Sequence, residues 1–365
     1  MKTLAIIVNY KSAPFTLQAV HSIIASESAG RMKIVIIDNS EDSNEIQYLR
    51  NALPASVTLL VNPENIGFGA ACNAVFGKYD SDTILLLNPD ARLLPGALLR
   101  MQRTLYASEK IGAVGPQIFW DDNLKYYLPP SYPPLLFFLQ PCLSALGHGS
   151  ALEKMLNCFW RSYALRIWRT KIPQRVYNLS GGHCLIKKQA VEKAGGLFDP
   201  RFFLYFEDTD LFLRLRKKGY LLMVEPGAGV VHYYDQCARD EYARKRELMT
   251  ESYKMFMEKH RSCHSFFLKS LLKHMKSAHA PCSGQKVCLL PFSVKIPEDI
   301  QKRWLFEWSP NPNFLPAVGC FGKGAFLYFS SEEGKMLSPG HYYARITNPD
   351  RILAEKTVRF SWTVG

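Results

Sequence analysis

Thr83-Ile84-Leu85-Leu86-Leu87-Asn88-Pro89-Asp90 decides the fold of this chain: an apolar run with strand character stops abruptly on a turn that carries a carboxylate. A second stretch repeats the pattern, the aromatic run Phe202-Phe203-Leu204-Tyr205-Phe206 ending in Glu207-Asp208-Thr209-Asp210. Apolar strands that end in acids place metal ligands or bases at the rim of a sheet. Open α/β folds bind their ligands at that rim.

Outward from residues 83–87, the runs 4–8, 33–37, 57–61 and 113–118 are also strand-like, and the segments between them have helical spacing. This alternation predicts βαβ units and a mainly parallel sheet, with Pro14 and Pro95 opening helices. Residues 121–175 break the rhythm with Pro129-Pro130, Pro133-Pro134 and an aromatic, apolar and basic stretch. Such an insertion either packs on its domain, lines an acceptor site or rests on a membrane surface. The α/β character resumes at Val176 with a strand over 184–186, a helix over 188–194 and a helix over 211–218 that Gly219 ends.

A long basic helical segment over 240–276 then leads to Ala280-Pro281-Cys282-Ser283-Gly284, a linker composition. Beyond it, strand-like runs at 287–294, 304–308, 325–329, 342–346 and 357–362 are separated by Pro, Gly and Asn turns, with no helical pattern. The expected organisation is an α/β domain over 1–238 containing the 121–175 insertion, a basic helical segment and linker over 239–282, and a small all-β, sandwich-like domain over 283–365. No residue of the last domain forms a catalytic constellation, so a binding or assembly role is expected there.

Composition narrows the function classes. With 47% hydrophobic and 21% charged residues in 365, the chain has the profile of a soluble globular protein. Nine cysteines, an odd number without a CxxC pair, fit reduced thiols in a cytoplasmic setting. The apolar run at residues 4–8 is too short for a secretory signal, and the most hydrophobic stretch, 135–146, is interrupted by Pro141. Membrane insertion is therefore not expected.

The net charge of +13 is uneven, and in 239–276 Arg244, Lys245, Arg246, Lys254, Lys259, Arg261, Lys269, Lys273 and Lys276 alternate with apolar residues. This pattern suits an anionic membrane surface or a phosphorylated substrate, and equally a solvated helix face. No nucleic-acid module is recognisable, so nucleic acid is not an expected partner.

Several polar positions follow predicted strands and would gather along one sheet edge: Asn9 and Tyr10, Asp38, and Asn65-Ile66-Gly67-Phe68-Gly69. A carboxylate at Asp38 can accept from a pyrimidine N–H, and glycines let the backbone approach a ligand closely, although a turn or helix start needs them too. Asp90 sits where a divalent cation bridging a pyrophosphate needs an oxygen ligand; taken alone, Asn88-Pro89-Asp90 reads first as a turn with a capping residue. Acids at the start and bases at the end of the helix after Phe206 complement its dipole, yet three acids in four positions exceed what one cap requires. The sharper reading is a base aimed at an acceptor hydroxyl. His232 closes another strand-like run, which brings an imidazole to the same rim.

Together, Ile7-Val8-Asn9-Tyr10, Ile37-Asp38-Asn39-Ser40, Asn65 to Asn73, Leu87-Asn88-Pro89-Asp90, Ser180-Gly181-Gly182 and Phe203 to Arg214 resemble family 2 glycosyltransferases of the GT-A fold, in particular the bacterial rhamnosyltransferase-like branch. The resemblance covers about residues 1–235. It implies inverting transfer of a sugar, rhamnose or another hexose, from a UDP- or dTDP-sugar to a glycan or lipid-linked acceptor in cell-surface polysaccharide synthesis.

In that likeness Asp208 would deprotonate the acceptor hydroxyl, with Glu207 beside it as the second catalytic residue, shaping the acceptor pocket. Asp210, Arg214, Gly181 and Gly182 would shape or support the acceptor side. Asn9, Tyr10, Asp38, Asn65, Gly67, Phe68, Asn73 and Asn88 would meet the donor, and Asp90 with His232 would bind Mg2+ or Mn2+. Where many relatives carry Asp-x-Asp, this chain has Asn88-Pro89-Asp90, one carboxylate instead of two. The implied location is cytoplasmic, with peripheral contact at the inner face of the membrane. The competing class is a non-catalytic carbohydrate-binding or scaffold protein that works through its β domain; the joint presence of Asp90, Asp208 and His232 argues against it.

Overall fold

The apolar runs become strands covered on both faces. β1 (Lys2–Asn9) is buried at every position after Lys2, and β4 (Thr83–Leu87) at all five. Continuous burial without alternation is the mark of central strands with helices on both sides. β2 (Arg31–Asp38) and β3 (Thr58–Val61) pair parallel beyond β1, in a register that sets Asn9 opposite Asp38. The computed structural model describes residues 2–26, 31–139, 151–233, 236–237, 241–260, 286–351 and 358–364. The candidate linker at 280–284, the basic positions from Arg261 to Lys276 and most of the hydrophobic 135–146 run lie outside the described residues.

The nine-stranded sheet has the order β3-β2-β1-β4-β8-β6-β9-β5, with β7 pairing β9 at its side. Its parallel part, β3-β2-β1-β4, is the βαβ region legible in the sequence. β5 (Ala91–Leu93), β6 (Ile111–Phe119), β7 (Gln174–Val176), β8 (His183–Lys187) and β9 (Leu221–His232) continue it, antiparallel at β4–β8, β6–β8, β5–β9 and β7–β9. Register then places the chemistry. Leu87 pairs with His183, and Ala91 with His232, so the Asn88-Pro89-Asp90 turn emerges between two histidines.

Helices α1 (Ala13–Ala25), α2 (Ser43–Ala52), α3 (Phe68–Phe76) and α4 (Ala97–Tyr106) connect the early strands. Ile7, Ile36, Leu85, Leu98, Met101, Val114, Leu185 and Val230 belong to the shared core. Pro14 stands in the first turn of α1, as expected, whereas Pro95 precedes the left-handed Gly96 that caps α4.

The chain divides into two compact units, one of Met1–Ile118, Ser131–Leu135 and Thr170–Arg261, the other of Phe119–Pro130, Leu136–Arg169 and Ser262–Gly365. Most of the 121–175 segment, expected as an insertion of the first domain, thus groups with the C-terminal residues. A buried ionic network accounts for this. α5 (Ala151–Arg169) carries Arg161, whose Nε donates to Glu307 at 3.0 Å, and Arg345 donates to the same carboxylate at 2.8 and 2.9 Å. Burial alone would raise the Glu307 carboxyl; the two guanidiniums, Arg345 foremost, outweigh it and hold it below its usual value. Removing one partner would strand a buried charge, so the helix is bound to that unit.

The second unit contains a five-stranded sheet, β10 (Lys286–Val287), β16 (Val358–Val364), β15 (Gly340–Thr347), β12 (Trp304–Ser309) and β13 (Val318–Gly322), and a two-stranded sheet of β11 (Phe292–Lys295) and β14 (Phe326–Phe329). Phe292 stacks on Phe329 at 5.2 Å and meets Phe360 edge-on at 5.3 Å, so aromatic rings join the inner faces of the two sheets. One expectation fails in this region. The tail is not free of helix, because Ser330 and Glu333 form a reciprocal capping box that starts a short helix over Ser331–Lys335.

Two corrections concern the second acidic cluster. The aromatic run 202–206 is not a strand, since Tyr205 and Phe206 are both left-handed, at φ 70° and 65°. The helix α7 (Glu207–Lys217) also begins four residues earlier than Leu211, which places Glu207, Asp208 and Asp210 in its first turn. α6 (Lys188–Lys193) and α8 (Tyr242–His260) complete the helices of the first unit. Among the described residues no helix is long and apolar enough to cross a membrane.

Candidate active site

The strand ends expected to meet a donor form a closed hydrogen-bond network. Asn9 donates to Asp38 Oδ1 at 2.6 Å and to Glu45 at 3.1 Å, and accepts from Ser12 and Thr16. Asp38 is fully buried and its Oδ2 accepts from the Ser40 hydroxyl at 2.8 Å. Glu45 accepts the backbone N–H groups of Ser12 and Ala13, both at 2.8 Å, so the chain's own carboxylate takes the N-terminus of α1. Asn9 and Asp38 are therefore brought together, but their polar atoms are committed to each other and to neighbours. Tyr10, half-buried beside them, bonds Glu241 at 3.0 Å.

Asn65, Gly67 and Asn73 make their polar contacts with protein, while Asn65 and Phe68 stay partly exposed. Asn65 Oδ1 accepts from Gly67 N at 3.0 Å and from Asn39 at 3.3 Å. Gly67 has φ +83° and lies so close to Phe203 that a Cβ there would collide with the carbonyl oxygen, while Phe68 N donates to that oxygen at 3.0 Å. Phe68 packs its ring against Phe198 at 5.7 Å. Asn73 closes a two-way bond with the Phe198 backbone, donating at 2.8 Å and accepting at 3.0 Å. Both ends of its amide are spent on the loop that leads to Asp208. We expect Asn73→Ala to lower stability by about 1–3 kcal/mol, because Phe198 N–H and C=O lose their partners; urea denaturation measures it.

The two acidic clusters are joined through Ser180-Gly181-Gly182-His183. Gly181 N donates to Asp208 Oδ2 at 2.9 Å, and Asn88 N donates to Gly182 O at 2.6 Å. A Cβ on Gly182 would lie 2.5 Å from the Asn88 amide, so only glycine allows this approach. His183 follows at once, and its ring meets His232 edge-on at 5.2 Å. His232 in turn lies 3.1 Å from Asp90. His183 is the residue that sequence reasoning missed; its signal was the position directly after the paired glycines.

Burial sorts the acids. Glu207 is 6% exposed and its Oε2 has no hydrogen-bond partner; burial, then the neighbouring Asp208 charge, pushes its carboxyl up to about 8. Asp208 is half-buried and also raised by burial, against which the Gly181 and Thr209 N–H groups act. At Asp90 burial would raise the carboxyl, but the charge and hydrogen bond of His232 outweigh it and keep it below normal. His183, buried against His232, is pushed down to about 3 and is neutral at physiological pH. Asp210, fully buried, is held down to about 2: burial opposes this, and His260, Lys259 and Arg214 overcome it. Arg214 also reaches the carbonyls of Ala194, Gly196 and Leu197 at 2.6–2.9 Å.

One carboxylate and one imidazole, Asp90 and His232, stand close enough to share a cation. Among the described residues no group of three or more His, Cys, Asp and Glu side chains is arranged to hold a metal ion. The pair therefore fits an ion that keeps most of its coordination positions for phosphate oxygens and water, a habit of Mg2+ and within the range of Mn2+.

Comparison with known protein families matches the N-terminal half of the chain. The model of glycosyl transferase family 2 matches residues 4–193. An N-acetylglucosaminyl-diphospho-decaprenol L-rhamnosyltransferase of Mycobacterium tuberculosis is 27% identical over 218 residues, covering 55% of this chain and 66% of that protein. The chain thus spans just under two thirds of that relative. Among solved structures, a mannosyltransferase of Pyrobaculum calidifontis in complex with GDP-Man and Mn2+ superposes with a TM-score of 0.46 at 15% identity, covering 74% of this chain and 68% of its own. GalNAc-T7 with UDP, GalNAc and Mn2+ gives 0.44 at 14% identity, covering 100% and 72%.

Proposed function

The chain belongs to glycosyl transferase family 2, and on that premise we propose that it transfers a sugar, with inversion, from a nucleoside diphosphate donor to a hydroxyl of a glycan or lipid-linked acceptor. The observation that carries this reading is the tetrapeptide Ser180-Gly181-Gly182-His183, which bonds the half-buried Asp208 on one side and the Asn88 turn on the other. A base on one side and the turn that carries the leaving-group metal ligand on the other, joined by one segment, suit a single displacement. Asp208 takes the proton of the acceptor hydroxyl as its oxygen bonds to the anomeric carbon; on the opposite face the bond from that carbon to the diphosphate oxygen breaks, and the nucleoside diphosphate departs.

Asp90 and His232 would hold Mg2+ or Mn2+, which when bound supplies positive charge to the departing diphosphate. Asn88 faces that side from its packing on Gly182, and Tyr10, Asn65 and Phe68, none of them fully buried, are the donor-side positions open to contact. Glu207, neutral at physiological pH, does not compete with Asp208 as base. A dTDP- or UDP-linked rhamnose or other hexose is the donor class, supported by the likeness to the mycobacterial L-rhamnosyltransferase; that protein's diphospho-decaprenol acceptor supports a lipid-linked one. Work on such an acceptor places the protein at the cytoplasmic face of a membrane, in surface polysaccharide synthesis.

A panel of dTDP- and UDP-sugars, scored for acceptor-dependent release of the nucleoside diphosphate, tests the proposal. One donor is expected to turn over, with the rate falling at least roughly tenfold in EDTA and in Asp90→Asn, and EDTA-treated protein recovering with Mn2+ or Mg2+. Full activity in EDTA would remove the metal from the mechanism. No turnover with any donor, together with glycan binding by the whole chain, would replace the enzyme by a carbohydrate-binding protein.

A further inference from the structure

We propose that α8 is a strap that positions the acceptor base, with Lys259 as its principal positioning residue; this rests on the assignment of Asp208 as base. The loop 199–206 delivers Asp208, and its last two residues, Tyr205 and Phe206, are left-handed without being glycine. Each such residue costs about 1–2 kcal/mol and persists only where its surroundings hold it. α8 touches the loop at its start, middle and end. Lys259 Nζ lies 2.7 Å from Asp199 Oδ2, the Ser252 hydroxyl donates to the Leu204 carbonyl at 2.7 Å, and the Phe206 ring packs on Tyr253 and Phe256 at 5.7 and 5.4 Å.

The same ammonium closes the ring. Lys259 Nζ is also 2.7 Å from Asp210 Oδ1, so one side chain binds the residue that opens the loop and a residue of the α7 first turn, two positions beyond Asp208. His260 adds a bond to Asp210 at 2.7 Å, and Arg214 holds the other oxygen at 2.8 Å while bonding the carbonyls of Ala194, Gly196 and Leu197. Asp210 is fully buried, at 0% exposed, and Lys259 reaches it with a side chain that is 22% exposed. At the far end of the strap, Glu241 accepts from Tyr10 at 3.0 Å and pairs with Lys11 at 2.6 Å, on the strand-end loop of the donor side. A helix of nineteen residues, about 28 Å long, therefore runs from the donor-side loop to the base-bearing loop.

The strap acts on kcat through the placement of Asp208, since misplacing a reacting group by about 1 Å costs up to roughly 10²-fold in rate. Lys259→Met is expected to lower kcat for transfer at least roughly tenfold with little change in donor KM, and to speed hydrogen exchange of the amides of 200–206 in the full chain. Lys259→Arg, which keeps a cation able to bridge Asp199 and Asp210, is expected to restore both. Should Lys259→Met not fold, Ser252→Ala gives the same two readouts through the Leu204 bond. Unchanged exchange in 200–206, a loss seen only in donor KM, or an equal loss in Lys259→Arg would overturn the proposal. A wild-type chain that transfers no sugar would defeat the assigned function instead, and the exchange measurement would still decide whether α8 holds the loop.

Discussion

Asp208→Asn is expected to lower kcat for sugar transfer by roughly 10²–10⁴-fold, the usual contribution of a positioned general base, while affinity for the nucleoside diphosphate is preserved. Asparagine keeps the shape and removes the basic electron pair. Asn88, a proposed donor contact, packs on Gly182 while Asp208 accepts from Gly181 N, so donor binding through Asn88 has no direct dependence on the lost charge. Stability changes little for a physical reason. Asp208 Oδ1 accepts from Thr209 N at 2.6 Å and Oδ2 from Gly181 N at 2.9 Å, so an amide NH2 must oppose one of these donors. That costs about 1–3 kcal/mol, and it is offset because a carboxylate that burial disfavours is no longer buried. Isothermal titration with the nucleoside diphosphate, beside steady-state transfer, separates the two effects. Transfer by the variant at the wild-type rate would remove Asp208 from the chemistry.

The pH profile adds a check on the same residue. Burial raises the Asp208 carboxyl above an ordinary aspartate, and a base works only when ionised. The acid limb of kcat should therefore lie above the usual aspartate range. A limb at the value of an exposed aspartate would point to a group that burial does not perturb.

What could be read in the sequence, and what could not, follows from the range of the forces involved. Residues 83–87 were predicted with their final bounds because a short apolar run bounded by a turn, among alternating strand-like and helical segments, fits a covered strand, and the acid after it falls at the rim by connectivity. The loop 202–206 was not legible. Phe202-Phe203-Leu204-Tyr205-Phe206 has β-forming composition, and its left-handed turn is imposed by the Phe203 carbonyl on Gly67 and Phe68 and by α8, far away in the chain. Asn73 and Gly67 were expected to face a donor for the same reason. Their residue types fit a ligand as well as a loop, and only the fold shows that the loop takes them. The grouping of α5 with the C-terminal unit depends on the Arg161–Glu307 contact, which spans 146 positions and leaves no local trace. His183 was passed over because a single histidine carries no periodicity; only β4–β8 pairing sets it beside the Asn88 turn.

Glu207 is expected to make the folded state less stable as pH rises. Its carboxyl is held at about 8 in the fold against an ordinary value of 4.5, so the folded chain keeps a proton that the unfolded chain releases. Below about pH 4.5 both states are protonated and the residue has no effect on stability. Between there and pH 8 the unfolding free energy falls by about 1.4 kcal/mol per pH unit, roughly 5 kcal/mol in all, and above pH 8 it levels off. Asp210 works in the opposite sense and in a lower window. Its carboxyl, depressed to about 2, adds stability as pH rises through about 2–4, before the Glu207 loss begins.

Glu207→Gln separates the two contributions. The amide does not titrate, and because Oε2 has no hydrogen-bond partner, no acceptor contact at that atom is lost. Urea denaturation of both proteins should give nearly equal stabilities at pH 4.5 and a growing advantage for the variant toward pH 8. Parallel curves would mean that Glu207 is ionised in the fold. The same variant should retain most transfer activity at neutral pH, since it copies the neutral state already present. In Asp208→Asn the neighbouring charge is gone, so the Glu207 carboxyl falls in part while burial, the larger cause, keeps it raised, and the pH-dependent loss shrinks accordingly. With Glu207 held neutral by burial and by the Asp208 charge, the proposed base at this pair of acids is Asp208.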